Sequence, residues 1–164
     1  MIIKLKNKDK LIIDRFKFKC CIGKKGLKIH KKEGDYSTPK GIFNLGSLYY
    51  RKDRVEKPNT KLKIKIIKPN TAWCNQPNHK LYNKEIKSQK KIRHEKLYRK
   101  DYKYDYLIII KYNYKKVIYN KGSAIFIHLT KNYQTTAGCI ALSKKDFLIL
   151  IKLIDKNTKI KILR

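Results

Sequence analysis

Residues 124–154 read AIFIHLTKNYQTTAGCIALSKKDFLILIKLI and contain a strand signal, a turn signal and a helix signal in succession. The apolar run 125–127 predicts a strand that ends at His128. Ser143 begins Ser-Lys-Lys-Asp, a capping-box-like helix start with Asp in place of Glu or Gln. Apolar residues then recur at helical spacing, namely Phe147, Leu150, Ile151 and Ile154. We therefore expect one helix soon after the turn that contains Cys139.

Strand signals dominate the rest of the chain, as short runs rich in Ile, Tyr, Val and Phe. They lie at 2–6, 11–19, 61–67, 104–112, 117–129 and 159–163, with further strands around a Gly-Asp turn within 26–46. Residues 80–103 are polar and are compatible with either a loop or a short helix. The pattern predicts a mainly β fold in a single domain that spans residues 1–164.

The formal net charge of +31 raises the possibility of nucleic-acid binding. Of the 43 basic residues, however, 37 are Lys and only 6 are Arg. Nucleic-acid sites favour Arg for bidentate contacts with phosphate and guanine. The Lys residues are evenly spread and accompany many Ile, Asn and Tyr residues, which favours compositional drift. We expect no specific nucleic-acid partner, although an anionic polymer is compatible with this charge.

Segments that would direct the chain to a membrane are not evident in the sequence. No run approaches 18 apolar residues, so we expect no transmembrane helix. The N-terminal residues 1–16 lack an apolar core of signal-peptide length, so we expect no secretory signal. The four cysteines are too few for a disulfide framework in a chain of this length.

His128 and Cys139 could form a nucleophile and its base, because a neighbouring histidine can activate a thiol. Gly138 permits backbone N–H groups to turn inward as an oxyanion hole. A buried inert cysteine and a structural histidine are equally compatible with this spacing. Cys74 and His79, with Cys20 and Cys21, offer a weak metal-binding alternative without the usual paired ligand spacing.

Several segments resemble the L,D-transpeptidase family, whose members are also called YkuD-like proteins. Residues 122–146 (GSAIFIHLTKNYQTTAGCIALSKKD) resemble the family core, which is a His followed at a distance by Ser/Thr-His-Gly-Cys. Residues 34–41 match the upstream pattern Gly-Asp-x-x-Thr-Pro-x-Gly, and residues 72–83 (AWCNQPNHKLYN) match a segment of one branch. That branch also has Thr-Ala-Gly-Cys in place of Ser-His-Gly-Cys. The resemblance covers roughly residues 20–155.

The resemblance implies a role for each matched residue of the site. Cys139 is the expected nucleophile and His128 the general base and acid. The N–H groups of Gly138 and Cys139 are candidate oxyanion donors, Thr136 is a candidate supporting residue, and the Leu129 carbonyl is expected to orient His128. Candidates for substrate binding are Tyr133, Trp73, Tyr82 and Asn83. The resemblance implies no metal and no cofactor.

The resemblance also implies a fold and an activity. The fold is a β-sandwich or mixed sheet with one helix after the nucleophile. The activity is thioacyl transfer on peptidoglycan stem tetrapeptides, which would be both donor and acceptor in cell wall cross-linking. The alternatives are an L,D-carboxypeptidase that uses water as acceptor and a non-catalytic Lys-rich module that binds an anionic polymer. The substrate implies the cell envelope or periplasm, and recycled muropeptides would instead imply the cytoplasm.

Two positions depart from the family pattern. Most members have His where this chain has Ala137, and many have Arg where it has Ala141. The arginine lies beside the substrate path in the wider family, so its loss leaves the anchoring of the donor to other residues. The resemblance further implies that Cys20 or Cys21 lies near Cys74, where an exported protein could form a disulfide.

Overall fold

The computed structural model describes residues 1–163, and it confirms a mainly β fold with one helix near the C-terminus. The helix α1 spans Lys144–Leu153. The strands are β1 (Ile2–Lys6), β2 (Lys10–Ile13), β3 (Phe16–Cys21), β4 (Leu27–Lys28), β5 (Thr38–Pro39), β6 (Gly41–Tyr50), β7 (Ile64–Ile66), β8 (Thr71–Cys74), β9 (Glu85–Lys87), β10 (His94–Lys96), β11 (Tyr106–Ile110), β12 (Phe126–Leu129), β13 (Ile140–Leu142) and β14 (Lys159–Ile162).

Nine strands form one mixed sheet in the order β11-β12-β13-β3-β2-β1-β14-β6-β7, and β11 also pairs with β6. The additional pairing closes the sheet into a ring. The ten-residue strand β6 allows this closure because its first half pairs with β14 and its second half with β11. The ring encloses the main hydrophobic cluster, so the strands bury one complete face without a second domain.

The strands β11 and β12 are buried on both faces, which explains their continuous apolar character. Ile127 and Leu129 of β12 point into the enclosed cluster. Phe126 lies on the opposite face, in a second cluster with Trp73 and Leu97. The small sheet β10-β8-β9 supplies Trp73 and covers that outer face.

The helix forms as the sequence predicts. The Ser143 hydroxyl accepts a hydrogen bond from the Asp146 N–H at 3.1 Å, which caps the first turn. The predicted apolar stripe is buried in the enclosed cluster, and its members are Phe147, Leu150, Ile151 and Ile154. The helix therefore packs behind β12, on the face away from His128.

Two predicted strands and one ambiguous segment differ from the sequence prediction. The run 11–19 is interrupted at Asp14, where a positive φ of 48° makes a turn between β2 and β3. Residues 117–122 form turns instead of a strand, because the Asn113 side chain bonds both the carbonyl and the N–H of Ile118. The ambiguous segment 80–103 contains the short strands β9 and β10. Within residues 1–163, no helix has the length and apolarity that crossing a membrane requires.

Truncation of Leu150 tests the packing of α1. Leu150 is fully buried in the enclosed cluster, so Leu150→Ala should lower the free energy of unfolding by about 2–5 kcal/mol through lost apolar contact and a cavity. Lys145→Ala, on the exposed side of the same helix, should change it by less than about 0.5 kcal/mol. Urea titration followed by circular dichroism measures both. Equal effects of the two substitutions would contradict the observed packing.

Candidate active site

His128 and Cys139 lie on the same face of the sheet. Strands β12 and β13 are parallel neighbours in which His128 pairs with Ala141 and Ile127 with Ile140. Side chains alternate along a strand, so Cys139 and Ala141 share the face of His128, while Ile140 points into the enclosed cluster. The parallel register therefore brings the candidate nucleophile and base to one surface.

His128 is held in one tautomer by the backbone. Its Nδ1 lies 2.8 Å from the Leu129 carbonyl oxygen, which can only accept, so Nδ1 carries the proton and Nε2 has a free lone pair. The ring packs edge-on against Tyr104 at 5.1 Å between centroids. Burial lowers the pKa of His128 from 6.5 to about 4. The imidazole is therefore a neutral acceptor at physiological pH.

The Cys139 thiol is buried and uncharged in this state. Its Sγ accepts from the Phe126 N–H at 3.4 Å and donates to the Ala124 carbonyl at 3.3 Å. Burial raises the pKa of the thiol, and the negative charge of Glu95 acts in the same direction. A thiolate favoured by His128 would instead have a lowered pKa. Across residues 1–163, Sγ forms no hydrogen bond with His128, so the thiol must leave Ala124 before His128 can take its proton.

Thr136 organises the turn before the cysteine. Its Oγ1 accepts from the Gly138 N–H at 3.1 Å and donates to the Cys139 carbonyl at 2.6 Å. The Gly138 N–H, predicted from the sequence as an oxyanion donor, is therefore engaged within the turn. The Cys139 N–H has no backbone or side-chain partner in the part of the chain that the structure describes.

The upstream segment 34–41 packs directly against this turn. The Thr38 hydroxyl donates to the Gly138 carbonyl at 2.8 Å and accepts from the Gly23 N–H at 2.9 Å. Gly138 has a φ of +145°, and a Cβ there would lie 2.8 Å from the Ser37 carbonyl oxygen. Glycine is required at 138 for both reasons. The two family motifs, distant in sequence, thus form one structural unit.

A buried ion pair supports the same segment. Lys31 Nζ lies 2.5 Å from Asp35 Oδ1 and donates to the Ser37 carbonyl at 2.6 Å. The Ser37 N–H and hydroxyl both donate to Asp35. These donors lower the pKa of the Asp35 carboxyl against the opposing effect of burial. Asp35 therefore stays charged and fixes the position of Ser37 beside Gly138.

None of the four candidate substrate-binding residues lines the cavities beside His128 and Cys139. Asn83 Oδ1 accepts from the Trp73 indole at 2.9 Å and from the Ala124 N–H at 3.0 Å. The Tyr82 hydroxyl accepts from the Gly122 N–H at 3.0 Å. Trp73, Tyr82 and Asn83 are buried and brace residues 122–124, which include the carbonyl that binds the Cys139 thiol. Tyr133 packs under Lys19 at 4.5 Å.

Two adjoining cavities open beside the pair. The first, of about 210 Å³, is lined by His128 and Ala141, and the second, of about 260 Å³, by His128 and Cys139. Each is smaller than the ~300–1,000 Å³ typical of a small-molecule site, so each accommodates only a short part of a peptide. Residues that line both cavities are Glu95, Tyr104, His128, Thr136 and Ala137. His128 thus lies at the junction of the cavities, whereas Cys139 lines only the second.

A match to a protein-family model identifies the family of this chain. The model of the L,D-transpeptidase catalytic domain, YkuD, matches residues 3–162. The chain belongs to this family. The match extends beyond residues 20–155, where the sequence motifs are strongest. No match was found among curated proteins or solved structures.

Members of the L,D-transpeptidase family are cysteine-dependent enzymes that act on peptidoglycan. Three other residues of the site were not predicted from the sequence. Glu95, Tyr104 and Arg99 all line the cavities, but two of them lie in the segment 80–103, whose polar composition carried no clear structural signal. Tyr104 donates to Glu95, and the Arg99 guanidinium lies 5.0 Å above the Tyr104 ring.

The other cysteines form no disulfide, since all four are free thiols. Cys20 belongs to the enclosed cluster, whereas Cys74 belongs to a separate cluster beneath β8. Cys74 Sγ lies 3.9 Å from His79 Nδ1, which also accepts from the Leu81 N–H at 3.1 Å. Among residues 1–163, no group of three or more His, Cys, Asp or Glu side chains converges as metal ligands would.

Substitution of Thr38 tests its bridge between Gly23 and Gly138. Thr38→Val removes a buried hydroxyl and leaves two backbone groups without partners, so the free energy of unfolding should fall by about 1–3 kcal/mol. The alkylation of Cys139 should also accelerate as its turn loosens. Thr38→Ser keeps the hydroxyl and serves as the matched control. Denaturant titration and mass-resolved alkylation measure the two effects. A Val variant as stable as the Ser variant would contradict the bridge.

The buried neutral state of His128 should make stability depend on pH. The folded pKa of about 4 lies below the unfolded value of 6.5, so the unfolded chain binds the proton first as pH falls. The contribution of His128 to the free energy of unfolding is complete above pH 6.5. It falls by about 3 kcal/mol as the pH drops to 4.

Urea titrations at several pH values measure this dependence. His128→Gln should remove that part of the slope, while His30→Gln, at an exposed position, should retain it. An unchanged slope in His128→Gln would show that the imidazole is not buried in its neutral form.

Proposed function

We propose that the protein is a peptidoglycan L,D-transpeptidase that transfers acyl groups through Cys139. The observation that carries this proposal is the shared cavity of His128 and Cys139, with the His128 Nδ1 proton held by the Leu129 carbonyl. His128 lines the cavity with an unprotonated Nε2, and a general base requires such a lone pair within reach of the thiol. Family membership supplies the substrate class, which is the stem peptide of peptidoglycan.

Acylation would begin when the donor peptide enters the cavities. The thiol turns from the Ala124 carbonyl, Nε2 takes its proton, and sulfur attacks the carbonyl that joins the third residue to the terminal D-amino acid. Because both groups are neutral at rest, proton transfer and attack would be coupled. The free N–H of Cys139 is the candidate donor to the developing oxyanion. His128 then returns the proton to the departing amine.

Transfer would reverse these roles. The amine of a second stem attacks the thioester, His128 accepts a proton from nitrogen, and the thiol leaves as it regains that proton. Water in place of the amine would give the carboxypeptidase product.

Cations beside the site suit a substrate that carries carboxylates. Arg99 and Lys103 line the same cavity as Ala141, the position where many family members have Arg. Arg99 is oriented by Asp101 through contacts of 2.9 and 2.6 Å. We propose that these two cations anchor the donor in place of the missing arginine. The substrate gives the reason to expect the enzyme at the cell envelope, with cytoplasmic muropeptides as the alternative.

Incubation with purified tetrapeptide muropeptides tests the function. Mass spectrometry should detect cross-linked dimers that have lost one terminal D-amino acid, and Cys139→Ala should form none. A carbapenem, which imitates the acyl donor, should add its mass to Cys139 in the wild type only. His128→Gln should lower the rate of product formation by about 10²-fold or more through loss of base catalysis.

Other products would lead to other conclusions. Tripeptides without dimers would identify a carboxypeptidase. If the wild-type protein forms neither product nor carbapenem adduct, acyl transfer is wrong. Salt-sensitive binding to an anionic polymer would then support a non-catalytic module.

A further inference from the structure

Glu95 is a carboxylate at the junction of the two cavities that lacks a complete set of partners. Its Oε1 accepts from the Tyr104 hydroxyl, whereas its Oε2 has no hydrogen-bond or ion-pair partner within residues 1–163. The side chain lines both cavities together with His128. Glu95 is only partly buried and its Oε2 stays accessible, so this oxygen can meet a group that enters the cavities. The geometry therefore leaves one position open for a ligand.

The neighbouring charges do not fill this position. Arg99, whose charge acts to lower the pKa of Glu95, is engaged with Asp101 through two short contacts. Glu33, the other acid of the second cavity, accepts from Ser123 at 2.7 Å and faces Arg93 at 3.9 Å. Glu33 thus has protein partners for both oxygens, and Glu95 does not. The chain has 43 basic and only 12 acidic residues. A carboxylate near Cys139 with one oxygen unpaired is therefore unusual in this protein.

We propose that Glu95 binds the ammonium group of the acyl acceptor and takes its first proton, which selects an amine over water. This inference rests on the proposed acyl transfer. An amine reaches the site as R–NH₃⁺, which has no lone pair and cannot attack the thioester. His128 accepts one proton during attack, so a second acceptor is needed for the other.

Glu95 provides this acceptor. The ammonium ion donates a proton to the Glu95 carboxylate and becomes R–NH₂. Nitrogen then bonds to the thioester carbon, its second proton moves to His128 Nε2, and the carbon–sulfur bond breaks with return of that proton to sulfur. The products are an amide, the free thiol and protonated Glu95, which releases its proton to solvent. Burial raises the pKa of Glu95, which favours proton uptake. Water needs no such step.

Glu95→Gln tests the proposal, because Gln retains an oxygen for the Tyr104 hydroxyl but cannot hold an ammonium ion. The matched control is Glu85→Gln. Glu85 flanks Trp73 on the opposite side from Glu95 and accepts from the Tyr49 hydroxyl at 2.5 Å, but it lines neither cavity. Glu95→Asp keeps the charge on a shorter side chain. Thermal unfolding should show that all three variants fold.

The measurement is the initial rate of each product from a tetrapeptide donor with varied amounts of a second stem peptide. In Glu95→Gln, kcat/KM for the amine acceptor should fall at least about tenfold, the loss expected for one charge-assisted hydrogen bond. Acylation by a carbapenem should not fall, because loss of the Glu95 charge removes one cause of the raised pKa of the Cys139 thiol. Release of tripeptide into water, measured per acyl-enzyme formed, should stay within about twofold. Glu95→Asp should recover part of the amine transfer, and Glu85→Gln should behave as the wild type.

Hydroxylamine distinguishes an effect of Glu95 on a charged acceptor from a general structural effect of the substitution. It is uncharged at neutral pH, so its nitrogen can attack without first losing a proton. Glu95→Gln should therefore transfer to hydroxylamine at nearly the wild-type rate. Equal losses with hydroxylamine, water and amine would overturn the proposal and assign Glu95 a purely structural role. Unchanged amine transfer would also overturn it, as would a wild type that forms tripeptide but no dimer. A wild type that forms neither product and no carbapenem adduct would instead reject acyl transfer itself.

Discussion

The Thr38 hydroxyl group connects the two halves of the site, because it is the shared partner of Gly23 and Gly138. Cys139 follows Gly138 directly, so the proposed nucleophile takes its position from Thr38, which lies 100 places before Gly138 in the chain. The close approach of the Ser37 carbonyl leaves no room for a side chain at 138. The buried pair of Lys31 and Asp35 then fixes Ser37 in turn. A short turn without its own secondary structure thereby obtains a rigid support, which catalytic geometry requires.

The electrostatic state of the site follows from the same close packing. His128 lies between two sheets, with Tyr104 against its ring and the Leu129 carbonyl on Nδ1. Removal of water raises the cost of charge on both the imidazole and the thiol. The two groups therefore rest as a neutral pair. If the two groups react as proposed, a bound substrate would have to supply the dipoles that make separation of charge favourable.

Much of this arrangement was predictable from sequence, but not all of it. The helix from Lys144 to Leu153 has a cap and a periodic stripe, and both signals are local. The parallel pairing of β12 and β13 is not local, because the sequence of either strand does not indicate which strand lies beside it. The roles of Trp73 and Asn83 were hidden for the same reason. Their motif is recognisable, yet only the fold reveals that they brace residues 122–124 from behind.

The same limit applies to Glu95. The polar composition of residues 80–103 was compatible with either a loop or a short helix, whereas the short strand β10 places Glu95 beside Trp73 and at the cavity. A charged residue in a polar segment gives no signal of such a position in advance. Resemblance to the L,D-transpeptidase family identified the residues that match its motifs and no others.

The hydrogen bond from the Cys139 thiol to the Ala124 carbonyl has a consequence for survival under oxidative stress. Peroxides and small electrophiles attack thiolates much faster than protonated thiols. A buried thiol that keeps its proton is therefore a poor target for conversion to sulfenic acid. The enzyme would retain its nucleophile in surroundings where an exposed, ionised cysteine is damaged. If Cys139 acts as proposed, its burial would protect it from indiscriminate reagents until a donor is bound.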